Sequence, residues 1–168
     1  MPSIFMSTAP LEKMKLEDLP LMAKGLISNE TDEIALLANL SALIFETFDG
    51  INWAGFYRLL SSQELVLGPF QGRIACTRIA LGKGVCGTSA SQRKTFRIEN
   101  VHEFEGHIAC DSASNSEIVI PILGAKQLYG VLDIDSPNIG RFSETDQTLL
   151  EEIVSELAQR LDQLSNAS

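Results

Sequence analysis

The chain has 168 residues, 45% of them hydrophobic, and carries 22 acidic against 13 basic side chains for a formal net charge of −9. This is one domain's length with enough apolar residues for a core that needs no metal or disulfide staple, and its acidity argues against nucleic acid or an anionic membrane as a partner. No stretch of eighteen apolar residues marks a membrane span, and the start "MPSIFMSTAPLEKMK" lacks the basic lead and apolar run of a signal peptide, so a cytoplasmic location is expected.

Residues 1–28 read as an N-terminal extension and lead-in. From Asn29 to Phe48, "NETDEIALLANLSALIFETF" opens with capping residues and then bears apolar side chains on more than one face, which predicts a helix buried on several sides, one of them a subunit contact. Next come "INWAGFYRLL", "ELVLGPF", "TFRIEN", "SEIVIPIL" and "LYGVLDIDS", short β-branched or aromatic runs separated by turn residues. Several gaps are of hairpin length, so these strands pair antiparallel, and Pro121 marks an edge or a bulge. In "SETDQTLLEEIVSELAQRLDQL", Ser143 and Asp146 form a capping-box pattern ahead of a helical stripe from Leu149 to Leu161. The predicted fold is α+β: a domain over residues 29–164 with five or six antiparallel strands, the N- and C-terminal helices on one face, and a middle segment from about residue 71 to 115 on the other. Residues 165–168, "SNAS", read as a disordered tail.

Within the middle segment, "GKGVCG" at residues 82–87 fits the G-x-G-x-x-G spacing of dinucleotide-binding turns. That motif works only inside a parallel βαβ unit, and the surrounding strands do not alternate with long helices. The glycines are instead assigned to a turn before a short helix, "GTSASQR", whose free N–H groups can hold an anion such as a carboxylate.

Cys76, Cys86 and Cys110 all fall in this segment. Three readings stand side by side: gap-filling core residues, a zinc site, or a thiol redox set in which one thiolate attacks and another resolves. Zinc fares worst, because there is no C-x-x-C pair and His102 and His107 are not spaced as partners for one. Asp133 and Asp135 stand at i and i+2 on a strand and so share a face, and Glu117 begins the preceding strand. The three carboxylates either converge at one end of the sheet, which would raise at least one pKa and attract an ammonium, or they are solvated turn residues.

"GPFQGRIACTRIALGKGVCG", "VHEFEGHIACDSASNSEIVIPI" and "GVLDIDSPNIGRFSETD" together resemble the free methionine-(R)-sulfoxide reductases, single-domain enzymes of the GAF fold. The likeness runs from about Trp53 to the last helix and keeps the order and spacing of three family cysteines. It implies that Cys110 attacks the substrate, that Cys76 is the principal resolving cysteine, and that Cys86 can join disulfide exchange. By the same likeness Glu117, Asp133 and Asp135 form an acidic substrate pocket and Trp53 walls the substrate side chain. Ile74 and Glu105 depart from the pattern, standing where proline is usual. The implied activity is thiol-dependent reduction of free L-methionine-(R)-sulfoxide through a cysteine sulfenic acid and an intramolecular disulfide. No bound cofactor is called for. A thioredoxin-type reductant, fed indirectly by NADPH, and a second copy of the chain in a homodimer are the implied partners. The alternative is a non-catalytic GAF sensor domain that binds a small molecule.

Overall fold

The computed structural model describes residues 14–106 and 113–167. Six strands form one sheet in the order β3-β2-β1-β6-β5-β4: β1 Trp53–Ser61, β2 Glu64–Gly72, β3 Arg78–Ala80, β4 Phe96–Ile98, β5 Ser116–Leu123 and β6 Leu128–Ser136. Every neighbouring pair is antiparallel. The helices are α1 Leu19–Asn29, α2 Glu33–Thr47, α3 Gly84–Gln92 and α4 Glu144–Asn166.

Alternation along the strands sorts the side chains into two cores. Ala54 and Phe56 of β1, Ile118, Ile120 and Ile122 of β5, and Leu132 and Ile134 of β6 face α1, α2 and α4. Their intervening neighbours Trp53, Tyr57, Val119 and Val131 face the opposite way, where Val85, Cys86 and Ala90 of α3 cover them. The expected division, terminal helices on one face and the middle segment on the other, is the observed one. Pro121 pairs with Val131 of β6, while the β4–β5 pairing begins at Phe96↔Val119, so its missing N–H falls where β5 has no outer neighbour. The α4 capping box forms as read: Asp146 N donates to Ser143 Oγ at 3.0 Å and Ser143 N donates to Asp146 Oδ2 at 2.9 Å.

Two boundaries differ from the sequence reading. Residues 19–28, read as lead-in, belong to α1, whose Leu19, Ala23 and Ile27 are buried in the helical core, and α2 starts only after the Asp32 cap, which accepts from Ala35 N at 2.8 Å. At the other end α4 runs through Asn166, into the segment read as a tail. The apolar side chains of α2 find partners within the chain. Leu36, Leu37, Leu40, Leu43 and Ile44 are buried against the sheet and α1, and Ile34 is the one large apolar residue of α2 left exposed. Packing inside one copy accounts for the buried residues of that many-sided pattern.

Candidate functional site

The register across three strands assembles the site row by row. Trp53 of β1 stands opposite Asp135 of β6, which stands opposite Glu117 of β5. The next row on the same face is Gly55, Asp133 and Val119, and the one after it begins with Tyr57 and Val131. The three carboxylates therefore converge, as one of the two sequence readings held. Gly55 is required here: a Cβ would overlap Phe70 and lie 2.8 Å from the Trp53 ring, and its absence lets Trp53 stack on Phe70 at 5.2 Å between centroids. Trp53 Nε1 donates to the Arg73 carbonyl at 3.1 Å and Tyr57 Oη donates to the Cys76 carbonyl at 3.0 Å. These two bonds pin the loop that carries Cys76 over the open end of the sheet.

On the other side of the pocket stands the start of α3. Gly82 and Gly84 take φ of +82° and +60°, which only glycine adopts freely, and a Cβ on Gly87 would overlap the Ala80 carbonyl oxygen. The G-x-G-x-x-G spacing is thus turn and close-packing geometry in a wholly antiparallel sheet. Lys83 caps α3 through no side-chain bond, and the first N–H bonded back along the helix is that of Gly87, to the Lys83 carbonyl at 3.0 Å. The N–H groups of Gly84, Val85 and Cys86 lie beside the cavity with the positive end of the helix dipole.

The cavity encloses about 550 Å³, mouth included, and is lined by Trp53, Tyr57, Cys86, Glu117, Asp133 and Asp135 together with Ser114, Lys83 and the exposed Ile74. Glu117 and Asp133 are each 6% exposed, and Cys86 Sγ lies 3.9 Å from Glu117 Oε1. Burial, then the neighbouring Asp133 and Asp135, push the Glu117 carboxyl well above the ordinary range, which favours its neutral form. Asp133 is pushed up to about 6, mainly by burial, with hydrogen bonds from Glu117 and Cys86 pulling the other way. Burial first, then Asp133, Glu117 and Asp135, raise the Cys86 thiol well above its usual range. Tyr57 is raised for the same reasons and stays a phenol. Chemically, the site offers a carboxyl group held toward its neutral form, an acidic wall that favours a cation, and a helix start that favours an anion.

Cys86 is a free, buried thiol, whereas Cys76 is half-buried and disulfide-bonded. Cys110 lies outside the described residues, so its place is given by neither contact nor distance. Tyr57 and Ser114 were not singled out in the sequence. Tyr57 had a legible signal, since the i, i+4 spacing in "WAGFY" puts it on the face of Trp53. Ser114, in a loop, had none.

The model of the GAF domain matches residues 30–162. The chain is 56% identical over 133 residues to the free methionine-R-sulfoxide reductase of Escherichia coli, covering 79% of this chain and 80% of that one. It belongs to the free methionine-R-sulfoxide reductase family of GAF-domain proteins. Two solved structures of family members are also similar. The Neisseria meningitidis reductase in complex with its substrate superposes with a TM-score of 0.86 at 40% identity, covering 90% of this chain and 91% of that one. The Staphylococcus aureus fRMsr in complex with substrate superposes at 0.80 with 50% identity, covering 85% and 93%. A family of reductases fits the features of the pocket: a buried carboxyl held toward its acid form, a thiol in the wall, and a second cysteine, Cys76, next to the lining residue Ala75. Among the described residues no helix is long and apolar enough to cross a membrane.

Proposed function

We propose that this protein reduces free L-methionine-(R)-sulfoxide to L-methionine with electrons from its own thiols. The observation that carries the reading is the convergence of buried Glu117 and Asp133 with half-buried Asp135 in a cavity that the start of α3 also lines, in a chain of this family. The substrate ammonium pairs with Asp133 and Asp135, and its carboxylate accepts from the free N–H groups of α3. A peptide bond on either side would remove the charge that the carboxylates or the helix start pairs with, which makes the site selective for the free compound. Trp53 and Tyr57 wall the side chain.

Glu117, held neutral by its surroundings, protonates the sulfoxide oxygen as Cys110 attacks the sulfur. The S–O bond breaks, methionine leaves, and Cys110 keeps the oxygen as a sulfenic acid. Cys76 then displaces that oxygen as water and closes a disulfide with Cys110. Support for Cys76 over Cys86 as the resolving thiol comes from their states, Cys76 oxidised and Cys86 a buried free thiol. The role of Cys110 rests on the family resemblance of "HIACD". A thioredoxin-type dithiol, supplied indirectly by NADPH in the cytoplasm, returns two electrons to the disulfide. A homodimer also rests on resemblance.

The test is to supply the reduced protein with dithiothreitol and, separately, the free R epimer, the free S epimer and a peptide-bound sulfoxide, and to quantify the reduced product. We expect turnover with the free R epimer alone. Binding of the free epimer without turnover would replace the reductase by the sensor reading.

A further inference from the structure

We propose that the pocket is also a site for a thiophilic divalent cation of the Zn²⁺ class, held by Cys86, Glu117 and Asp133. The donor atoms of these three residues all lie within 4.8 Å of one another, and all three residues are buried. In a tetrahedral site with a Zn–S distance of about 2.3 Å and a Zn–O distance of about 2.0 Å, the sulfur and oxygen stand roughly 3.5 Å apart. The observed Sγ to Oε1 distance is 3.9 Å, so a shift of a few tenths of an ångström brings Cys86 and Glu117 to ligand spacing.

A second observation points to a missing partner. Asp133 Oδ1 is buried and accepts no hydrogen bond, and among the described residues no ion pair ties Glu117 or Asp133 to a Lys or Arg. A buried polar atom left without a partner is costly unless something fills the place. The donor set chooses the ion: one sulfur with two carboxylates suits a borderline-soft metal with few ligands, and it lacks the six or more oxygens that Ca²⁺ or Mg²⁺ needs. Three protein donors leave a fourth position open to the cavity for water. The sequence argued against zinc from Cys and His spacing; these donors come instead from α3, β5 and β6, which only the fold brings together.

Cation binding stands independently of the proposed activity. One consequence rests on it: the cation occupies the place assigned to the substrate ammonium, so the two compete.

The experiment uses a Cys76→Ser/Cys110→Ser double variant, in which Cys86 is the sole thiol, titrated with Cd²⁺ while the ultraviolet thiolate-to-cadmium charge-transfer band is read. Zn²⁺ is then added to displace the Cd²⁺. We expect one equivalent of Cd²⁺ to saturate the band and Zn²⁺ to abolish it. Adding Cys86→Ser should remove the band, and Glu117→Gln or Asp133→Asn should weaken binding at least about tenfold, the loss that even an outer-shell partner costs. The wild-type protein with Cys76 in its disulfide provides the same titration without the serine substitutions. No saturable band in either protein, or a band indifferent to both carboxylate substitutions, overturns the site. Repeating the titration with saturating free methionine separates the two readings. A weaker Cd²⁺ isotherm supports the shared pocket, while an unchanged one leaves the cation site standing and overturns the overlap with the ammonium position.

Discussion

Asp133→Asn tests whether the acidic cluster is as strained as its burial implies. The ordinary Asp value of 3.8 is raised to about 6 in the fold, chiefly by burial. By linkage, an elevation of that size corresponds to about 3 kcal/mol. The sign follows from proton counting. Between pH 4 and 6 the unfolded chain has released this proton and the folded one keeps it, so unfolding free energy falls as pH rises. The full cost is present above pH 6. Glu117 acts in the same direction from its ordinary value of 4.5 upward, and Asp133 is the largest charge acting on it, so the substitution relieves both. The assay is urea unfolding of the ligand-free wild type and variant from pH 4 to pH 8, taking the difference at each pH so that every other titration cancels. We expect the gap to move in the variant's favour by about 3 kcal/mol through pH 6 from Asp133 itself, and to go on widening toward pH 8 as Glu117 is relieved. Parallel curves, within about 0.5 kcal/mol across the range, would show that the carboxylate carries no buried charge and that an ammonium gains nothing special by pairing with it.

Three further substitutions and probes bear on neighbouring parts of the site. Cys86, buried and faced by carboxylates, should resist iodoacetamide at neutral pH in the folded protein and react on unfolding; Asp133→Asn should raise its folded-state reactivity, as read by mass spectrometry of the modified peptide. Tyr57→Phe removes the donor to the Cys76 carbonyl, so disulfide closure should slow while the first equivalent of methionine forms at the wild-type rate, a split that rapid-quench kinetics resolves. Gly87→Ala should destabilise the fold by about 1–3 kcal/mol, because its methyl overlaps backbone and not a flexible side chain; an unchanged thermal midpoint would show that α3 can move off β3 at no cost.

Much of the architecture was legible because short β-branched and aromatic runs bounded by turn residues mark the strands. "SEIVIPIL" and "LYGVLDIDS" have the bounds of β5 and β6, and their pairing brings Glu117 opposite Asp135. The polar side chains that interrupt the site face, Glu117, Asp133 and Asp135, are what made the pocket readable. α1 escaped notice because Pro20 and Gly25 weaken its helical pattern, and its place is fixed by packing of Leu19, Ala23 and Ile27 against other helices. β3 is three residues long and carries no pattern. The approach of Cys86 to Glu117 depends on how α3 docks on the sheet, a tertiary distance that no spacing in the sequence encodes. The many apolar residues of α2 reflect a helix layered between a sheet and another helix.

The most direct measurement is a single turnover in which methionine and thiols are counted together. Fully reduced protein is mixed with one equivalent of free L-methionine-(R)-sulfoxide and no external reductant, quenched with acid, and its cysteines are mapped after alkylation in denaturant. We expect one methionine per chain, the loss of two thiols, a peptide that joins Cys76 to Cys110, and Cys86 alkylated as a free thiol. Methionine formed with all three thiols intact, or a disulfide that includes Cys86 in place of Cys76, would contradict the division of labour among the cysteines; no methionine at all would contradict the reductase itself.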